Sequence, residues 1–252
     1  MDAKIDDEIL SHVDEMREKD LVLSFSTGAD SLACYLRLKE WGIKPAALVY
    51  NYYLPGLTMV ETYLRWFERE YGMEVIRIPG HLGISDIGNG LFQRPGIGKK
   101  MHKHCPIQCD RDTVNASILD CFDRDPHMVI GLRYTDGYFR YKAITEKGSV
   151  RNARFKQWNP CASFTLTDTE EIIRRHCAKL PFEYRFIGRS FESPRATVAI
   201  PMRDNAPKTW AQIKQVFPLT SNLEGQGLLV KPTGDLISRI KHYADLALEG
   251  EE

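Results

Sequence analysis

Apolar and polar positions along the chain follow two rhythms, and their alternation outlines the fold. A polar amphipathic stretch at residues 5–18 predicts a helix, and the apolar run 21–25 predicts a buried strand. A helix follows over 30–41, with Gly42 placed to close it. "PAALVYN" (45–51) reads as a second strand. In "LTMVETYLRWFEREYG" (57–72), Leu57, Val60, Leu64 and Phe67 fall at helical spacing before Gly72. "MEVIRIP" (73–79) reads as a third strand. From 80 to 104 the pattern dissolves among Gly80, Gly83, Gly88, Gly90, Gly96 and Gly98, as expected of a functional loop. A helix over 110–122 and a strand over 127–132 come next. Thr167 is the expected N-cap of the helix "DTEEIIRRHCAK", with Glu170 completing a capping box, and a last helix is expected over about 234–248. Residues 181–232 carry the weakest pattern.

Strands alternating with helices predict an α/β fold: a doubly wound, mainly parallel sheet with helices on both faces, Rossmann-like. The expected division is a nucleotide-binding domain over 1–180 and an extension over 181–252. That extension would form the acceptor side or an oligomer contact.

Composition narrows the function classes. The 252 residues are 43% hydrophobic and 27% charged, with 34 basic and 34 acidic side chains. A net charge of zero gives no global field for nucleic acid, so any such contact needs a local patch. No apolar run reaches the length of a membrane span. The acidic, helical N-terminus is not expected to be a targeting segment. Six scattered cysteines (Cys34, Cys105, Cys109, Cys121, Cys161 and Cys177) read as reduced thiols of a cytoplasmic protein.

Chemistry concentrates where the first strand ends. "SFSTGADS" places Ser24, Ser26, Thr27, Gly28, Ala29, Asp30 and Ser31 between a strand and a helix. Hydroxyls and amides at a helix N-terminus form an anion site, favoured by the helix dipole. Gly28 is the residue expected to take a positive φ. No lysine occupies the turn, so it is not a Walker A loop. A carboxylate beside phosphate calls for a divalent cation, and Asp30 would hold Mg²⁺ between itself and phosphate oxygens. Alternatively, Asp30 is a plain N-cap.

The stretch resembles the PP-loop of the N-type ATP pyrophosphatases, written S-G-G-x-D-S, with Thr27 standing at the first glycine. Three other segments extend the likeness over about residues 20–175. They are "LVYNYYLPGLTMVETYLRWFEREYGMEVIRI", "HKHCPIQCDRDTVN" and "VIGLRYTDGYFR", the last with Gly131, Arg133, Asp136 and Arg140 at matching places. The combination resembles the phosphoadenosine phosphosulfate reductase-like group of the adenine nucleotide alpha-hydrolase-like superfamily. The resemblance implies ATP and Mg²⁺ as ligands, with phosphates on Ser26–Ser31, and adenylation of an acceptor with release of pyrophosphate. Sulfate, a nucleic-acid base and an amino acid all fit as acceptors. The relatives named by the likeness also include a subunit that works only with a partner, so a non-catalytic nucleotide-binding partner subunit, or a homodimer, is a further reading.

Asn51, at the end of the second strand, is placed where such proteins contact the nucleotide. Arg133 and Arg140 would neutralise phosphate charge, because a guanidinium binds phosphate oxygens in a fork. Lys99 and Lys100 would close as a lid or are a solvated loop charge pair, and Cys105 would line the acceptor side. His102, His104, Cys105 and Cys109 are ligand types, but their spacing matches no standard zinc or iron–sulfur motif. Tyr50, Tyr52, Tyr53 and Trp66 read as core or pocket wall. A sulfonucleotide reductase of this group would use a cysteine in a C-terminal Glu-Cys-Gly-Leu-His tail. No cysteine follows Cys177 in this sequence, which counts against that alternative.

Overall fold

A computed structural model describes residues 1–52, 54–79, 111–147, 150–152, 156–190, 196–217 and 234–250. The chain opens with helices α1 (Ala3–Ser11) and α2 (Val13–Arg17), then β1 (Leu21–Ser24), α3 (Ala29–Glu40), β2 (Ala47–Tyr52), α4 (Thr58–Tyr71) and β3 (Val75–Pro79). After an interval come α5 (Arg111–Leu119), β4 (His127–Val129), a 3-10 turn (Tyr134–Asp136), α6 (Tyr138–Lys147), β5 (Arg151–Asn152), β6 (Gln157–Trp158) and α7 (Leu166–Arg175). The last described elements are α8 (Tyr184–Ile187), α9 (Ala196–Asn205), α10 (Pro207–Val216), α11 (Gly234–Tyr243) and a 3-10 turn over Ala244–Leu246.

The strands form one sheet in the order β3-β2-β1-β4-β6-β5. β1 pairs in parallel with β2 and with β4, placing Leu23 opposite Leu48 on one side and Val129 on the other. β6 continues in parallel from β4, and β5 closes that edge antiparallel. This is the doubly wound α/β arrangement that the alternation predicts. No described helix is long and apolar enough to cross a membrane.

The described residues divide into two compact units. One holds Met1–Asn51, Tyr71–Ile78 and the described residues within Asp110–Lys179; the other holds Tyr52–Glu70, Pro79 and the described residues within Leu180–Glu252. In the first unit Val22, Ala47, Val49, Leu119, Met128 and Ile130 form a buried cluster. Each of its larger side chains, Ala47 aside, contributes about 1.5–3 kcal/mol when fully withdrawn from water. Helix α3 is buried from Ala29 through Leu38 apart from Asp30, and it packs on α7. In the second unit Thr209 and Gln212 of α10 accept from the amides of Met59 and Thr58 at the start of α4. A parallel bridge joins Leu180 to Ala247.

Several boundaries differ from the sequence expectation. The helix expected over 5–18 is two helices that meet at His12. There Ser11 turns its hydroxyl back onto Glu8 O at 2.7 Å, a local bond that competes with helix continuation. The cap of α7 is Thr165, not Thr167. Its Oγ1 accepts from Asp168 N–H at 3.3 Å, while Asp168 Oδ2 accepts from Thr165 N–H at 2.8 Å, so the capping box is Thr165–Asp168. Gly42 closes α3 as expected: its φ is 68°, and Gly42 N–H and Ile43 N–H donate to Lys39 O and Leu38 O in a Schellman pattern. The last helix stops at Tyr243 and tightens into the 3-10 turn. Cys121, expected at an apolar helix position, is exposed beyond α5.

Candidate functional site

Parallel strands deliver whatever follows their carboxyl ends to one edge of the sheet. From β1 come Ser26 through Ser31, and from β4 come Gly131 through Arg133. Asn51, the penultimate residue of β2, reaches the same edge. The fold therefore gathers Ser24, Ser26, Thr27, Gly28, Ala29, Asp30, Ser31, Asn51, Gly131 and Arg133 at one end of the sheet.

The turn is built differently from the expectation. Gly28 has an ordinary extended backbone, φ −78° and ψ 158°, and is itself the N-cap of α3. The positive φ belongs to Thr27, at 60°. Left-handed backbone costs an L-residue about 1–2 kcal/mol, and a β-branched side chain suits it least. Thr27 is also 1% exposed. Its Oγ1 is buried with no hydrogen-bond partner among the described residues, and Asn51 Oδ1 shares that condition. Buried polar atoms in folded proteins are nearly always paired, so two such atoms at one sheet edge are unusual.

The serines behave otherwise. Ser31 donates its hydroxyl to Gly28 O at 2.9 Å, and Ser26 donates to Ser31 Oγ at 3.3 Å. Both hydroxyls thus brace the turn itself. Asp30 is not the cap; it lies in the first turn of α3, where the helix dipole favours a carboxylate.

Gly131 has a structural reason of its own. A Cβ there would stand 2.7 Å from Asp30 C, 2.8 Å from Asp30 O and 2.9 Å from Ser31 N. Only glycine lets the exit of β4 pass against the first turn of α3. One turn further along, Cys34 Sγ lies 3.7 Å from Ile130 O. Burial, and then neighbouring Cys161, push the Cys34 thiol well above its ordinary range, so it stays neutral and serves packing.

Arg133 is 4% exposed. Its Nε lies 2.9 Å from Asp30 Oδ1, and its Nη2 lies 2.7 Å from Asp136 Oδ1. Asp136 Oδ2 accepts from Arg133 N–H at 3.2 Å and from Arg140 Nη1 at 2.6 Å. Asp30, Arg133, Asp136 and Arg140 therefore form an alternating chain of charge with no net excess, which is how a guanidinium tolerates burial. Arg140, half exposed, reaches the site only through Asp136. Asp136 enters the sequence reading only as a matching place of the family motif, with no role of its own there. Its signal was legible in the spacing, three residues after one arginine and four before another.

Lys99, Lys100, His102, His104, Cys105 and Cys109 lie outside the described residues, as does Tyr53. Tyr50 is buried, as expected, and Trp66 is half-buried, stacked on Tyr63 at 5.5 Å. No three His, Cys, Asp or Glu side chains converge among the described residues.

A cavity of about 510 Å³ opens at the opposite, amino-terminal end of β4 and β6, lined by Asn115, Leu119, Phe122, Asp125, Pro126 and Lys156 among others. One carboxylate on its lining is paired on both sides. Asp125 pairs with Lys19 and, at 3.1 Å, with Lys156, and these ammonium donors hold its carboxyl at about 2. The volume there lacks the orphaned polar atoms of the Thr27 edge. No protein-family model matches the chain, and no curated protein matches it.

Proposed function

We propose that the chain binds ATP with its phosphates on the Ser26–Ser31 turn and adenylates an acceptor, releasing pyrophosphate. The observation that carries this reading is Thr27, a β-branched residue held at positive φ and buried with an unpaired hydroxyl at the entrance of a helix. Strain combined with an orphaned polar group at a strand-to-helix turn is the signature of a preorganised ligand contact. The likeness to the PP-loop motif and the nearby buried arginine support the same reading.

The residues also suit a divalent cation. Mg²⁺ bound with nucleotide ordinarily takes one or two protein carboxylates and fills its remaining positions with phosphate oxygens and water. Asp30, about a quarter exposed, supplies one such carboxylate. When bound, the cation would neutralise charge on the departing pyrophosphate.

The chain's own groups do the rest. Ser31 and Ser26 fix the turn. Thr27 Oγ1 and the helix N-terminus meet the phosphates. Arg133 leaves Asp30 for phosphate oxygens while Asp136 keeps its guanidinium in place. An acceptor oxygen or sulfur attacks the α-phosphorus. The bond from that phosphorus to the bridging oxygen breaks, the electron pair leaves with pyrophosphate, and the acceptor proton passes to solvent. Catalysis of this kind is positioning and charge stabilisation, with no covalent role for the protein.

The test is ATP turnover with pyrophosphate and the adenylated acceptor quantified, screened against sulfate, nucleic acid and amino acids. Asp30→Ala should fold normally and lose pyrophosphate release. Full pyrophosphate release by that variant would remove Asp30 from the metal role.

A further inference from the structure

Helix α6 starts one residue after the Arg133–Asp136 cluster with the run "YFRYK". Its inward side is ordinary, with Ile144 buried at 3%. Its first turn is not. Tyr138 is 64% exposed, Phe139 86% and Tyr141 47%, so three of the seven exposed large hydrophobic residues among those described fall within four positions. The Tyr138 and Phe139 rings lie 5.8 Å apart at 66°, and Lys142 Nζ sits 5.2 Å from the Tyr138 ring centre. Arg140, half exposed between them, is anchored to Asp136.

We infer that this ridge binds single-stranded nucleic acid and that such a strand is the acceptor for the adenylyl group. The binding claim rests on the ridge alone; the acceptor claim rests on the nucleotide-site reading above. Exposed rings interleaved with cations match one ligand class closely. Bases stack on the ring faces while their phosphates meet Arg140 and Lys142. The chain has no net charge, so these cations are a local feature rather than part of a general basic field. A second copy of the chain fits poorly, because a two-fold contact would set Arg140 and Lys142 against their own counterparts. A duplex keeps its base faces inside the stack, out of reach of the rings. Position links the ridge to the chemistry, since Arg140 shares Asp136 with Arg133.

The experiment is fluorescence anisotropy with labelled oligodeoxythymidylate, labelled oligouridylate and a labelled DNA duplex, on the wild-type chain, Phe139→Ala and the double variant Tyr138→Ala/Tyr141→Ala. Circular dichroism melting verifies that the variants fold. A single strand should bind more tightly than the duplex, and added salt should weaken it. Each ring removed should weaken binding by about fivefold or more. Preference for one single strand over the other assigns DNA or RNA. Failure of the wild-type chain to bind either single strand, or equal binding by the variants, overturns the inference. Loss of self-association in the variants, by sedimentation velocity, with oligonucleotide affinity retained, makes the ridge a copy contact and overturns it as well. ATP affinity, measured separately by calorimetry, should be unchanged in these variants; absence of ATP binding by the wild-type chain sinks the nucleotide reading and leaves the anisotropy result to stand or fall alone. Pyrophosphate release, and transfer of radiolabel from the α-phosphate of ATP to the strand, should rise when the bound strand is added to the wild-type chain and not to Phe139→Ala. Binding without that rise overturns the acceptor role.

Discussion

Among the described residues the first unit buries two arginines, and their surroundings differ in kind. Arg37, 5% exposed, donates to Pro160 O at 2.6 Å and Ser163 Oγ at 3.3 Å and pairs with Asp6 at 2.5 Å. Its guanidinium carbon lies 4.7 Å from the Trp41 ring centre and 4.6 Å from that of Phe164. Every direction around it is filled by backbone, ring or carboxylate of the same unit. Arg133 is as deeply buried, but the partners of its side chain above are two carboxylates, and one of them, Asp30, faces outward and stands in the first turn of a helix. Arg37 is a staple: Asp6 also accepts from Ser163 Oγ at 2.7 Å, so its partners hold one another as well. On the proposed reading, Arg133 is held by a partner that phosphate would replace, Asp30, which is about a quarter exposed. Equal burial of the two arginines therefore does not by itself assign them the same role.

Breaking the two arginines in turn should give opposite profiles. Arg37→Met should lower stability by about 3 kcal/mol, the lower end for a buried pair because Asp6 keeps some contact with water. Denaturant melts measure this. Arg133→Met should lose less stability and lower ATP turnover by about 100-fold or more. Equal effects on stability, with turnover intact in the Arg133 variant, would erase the distinction.

A milder break leaves both arginines in place and moves the ground beneath one. Gly131→Ala sets a methyl against the Asp30 and Ser31 backbone. It should lower stability by about 1–3 kcal/mol, as overpacking does, and weaken nucleotide binding through displacement of the turn. Wild-type ATP affinity in this variant would mean that the close approach does not position the site.

The smallest effect sharpens the comparison from a third region, the self-paired amino end of the sheet. The Asp125 carboxyl is held at about 2 against an ordinary 3.8, first by the Lys19 hydrogen bond and then by Lys156. A carboxyl lowered in the folded state stabilises above its unfolded value and loses that contribution as pH falls through the folded one. Asp125→Asn should therefore be less stable than the wild-type chain above about pH 4, and the gap should close as pH falls toward about 2. His127 is also lowered, by burial first, and burial favours its neutral form, so the folded chain should weaken further as pH falls below the ordinary 6.5. Melts across the acid range test both signs, and ATP affinity near neutral pH should not follow Asp125.

Much of this was legible in the sequence. Strands β1 to β4 and the helices around them follow from apolar periodicity, because long buried runs leave little freedom of assignment. Strands β5 and β6 do not, since a two-residue strand carries no period and is stabilised by its neighbours alone. Helix α6 is also hidden: its exposed rings spoil the amphipathic pattern that marks ordinary surface helices. Residues Thr165 and Thr167 compete as caps two positions apart, and only the reciprocal bond with Asp168 decides between them. At the site, residue types pointed to phosphate chemistry, and the arginines to their neighbourhood. The strain fell on Thr27 rather than on glycine, because the path of the turn is dictated by its packing and not by the most permissive residue within it.

The central claim is that nucleotide phosphates rest on the Ser26–Ser31 turn, with Arg133 turned toward them. A crystal structure with a non-hydrolysable ATP analogue and Mg²⁺ tests it most directly. The account predicts phosphate density against Thr27 Oγ1 and the first amides of α3, with the Asp30–Arg133 pair opened. Density in the cavity at the other end of the sheet, or an unaltered pair beneath a bound nucleotide, would contradict it.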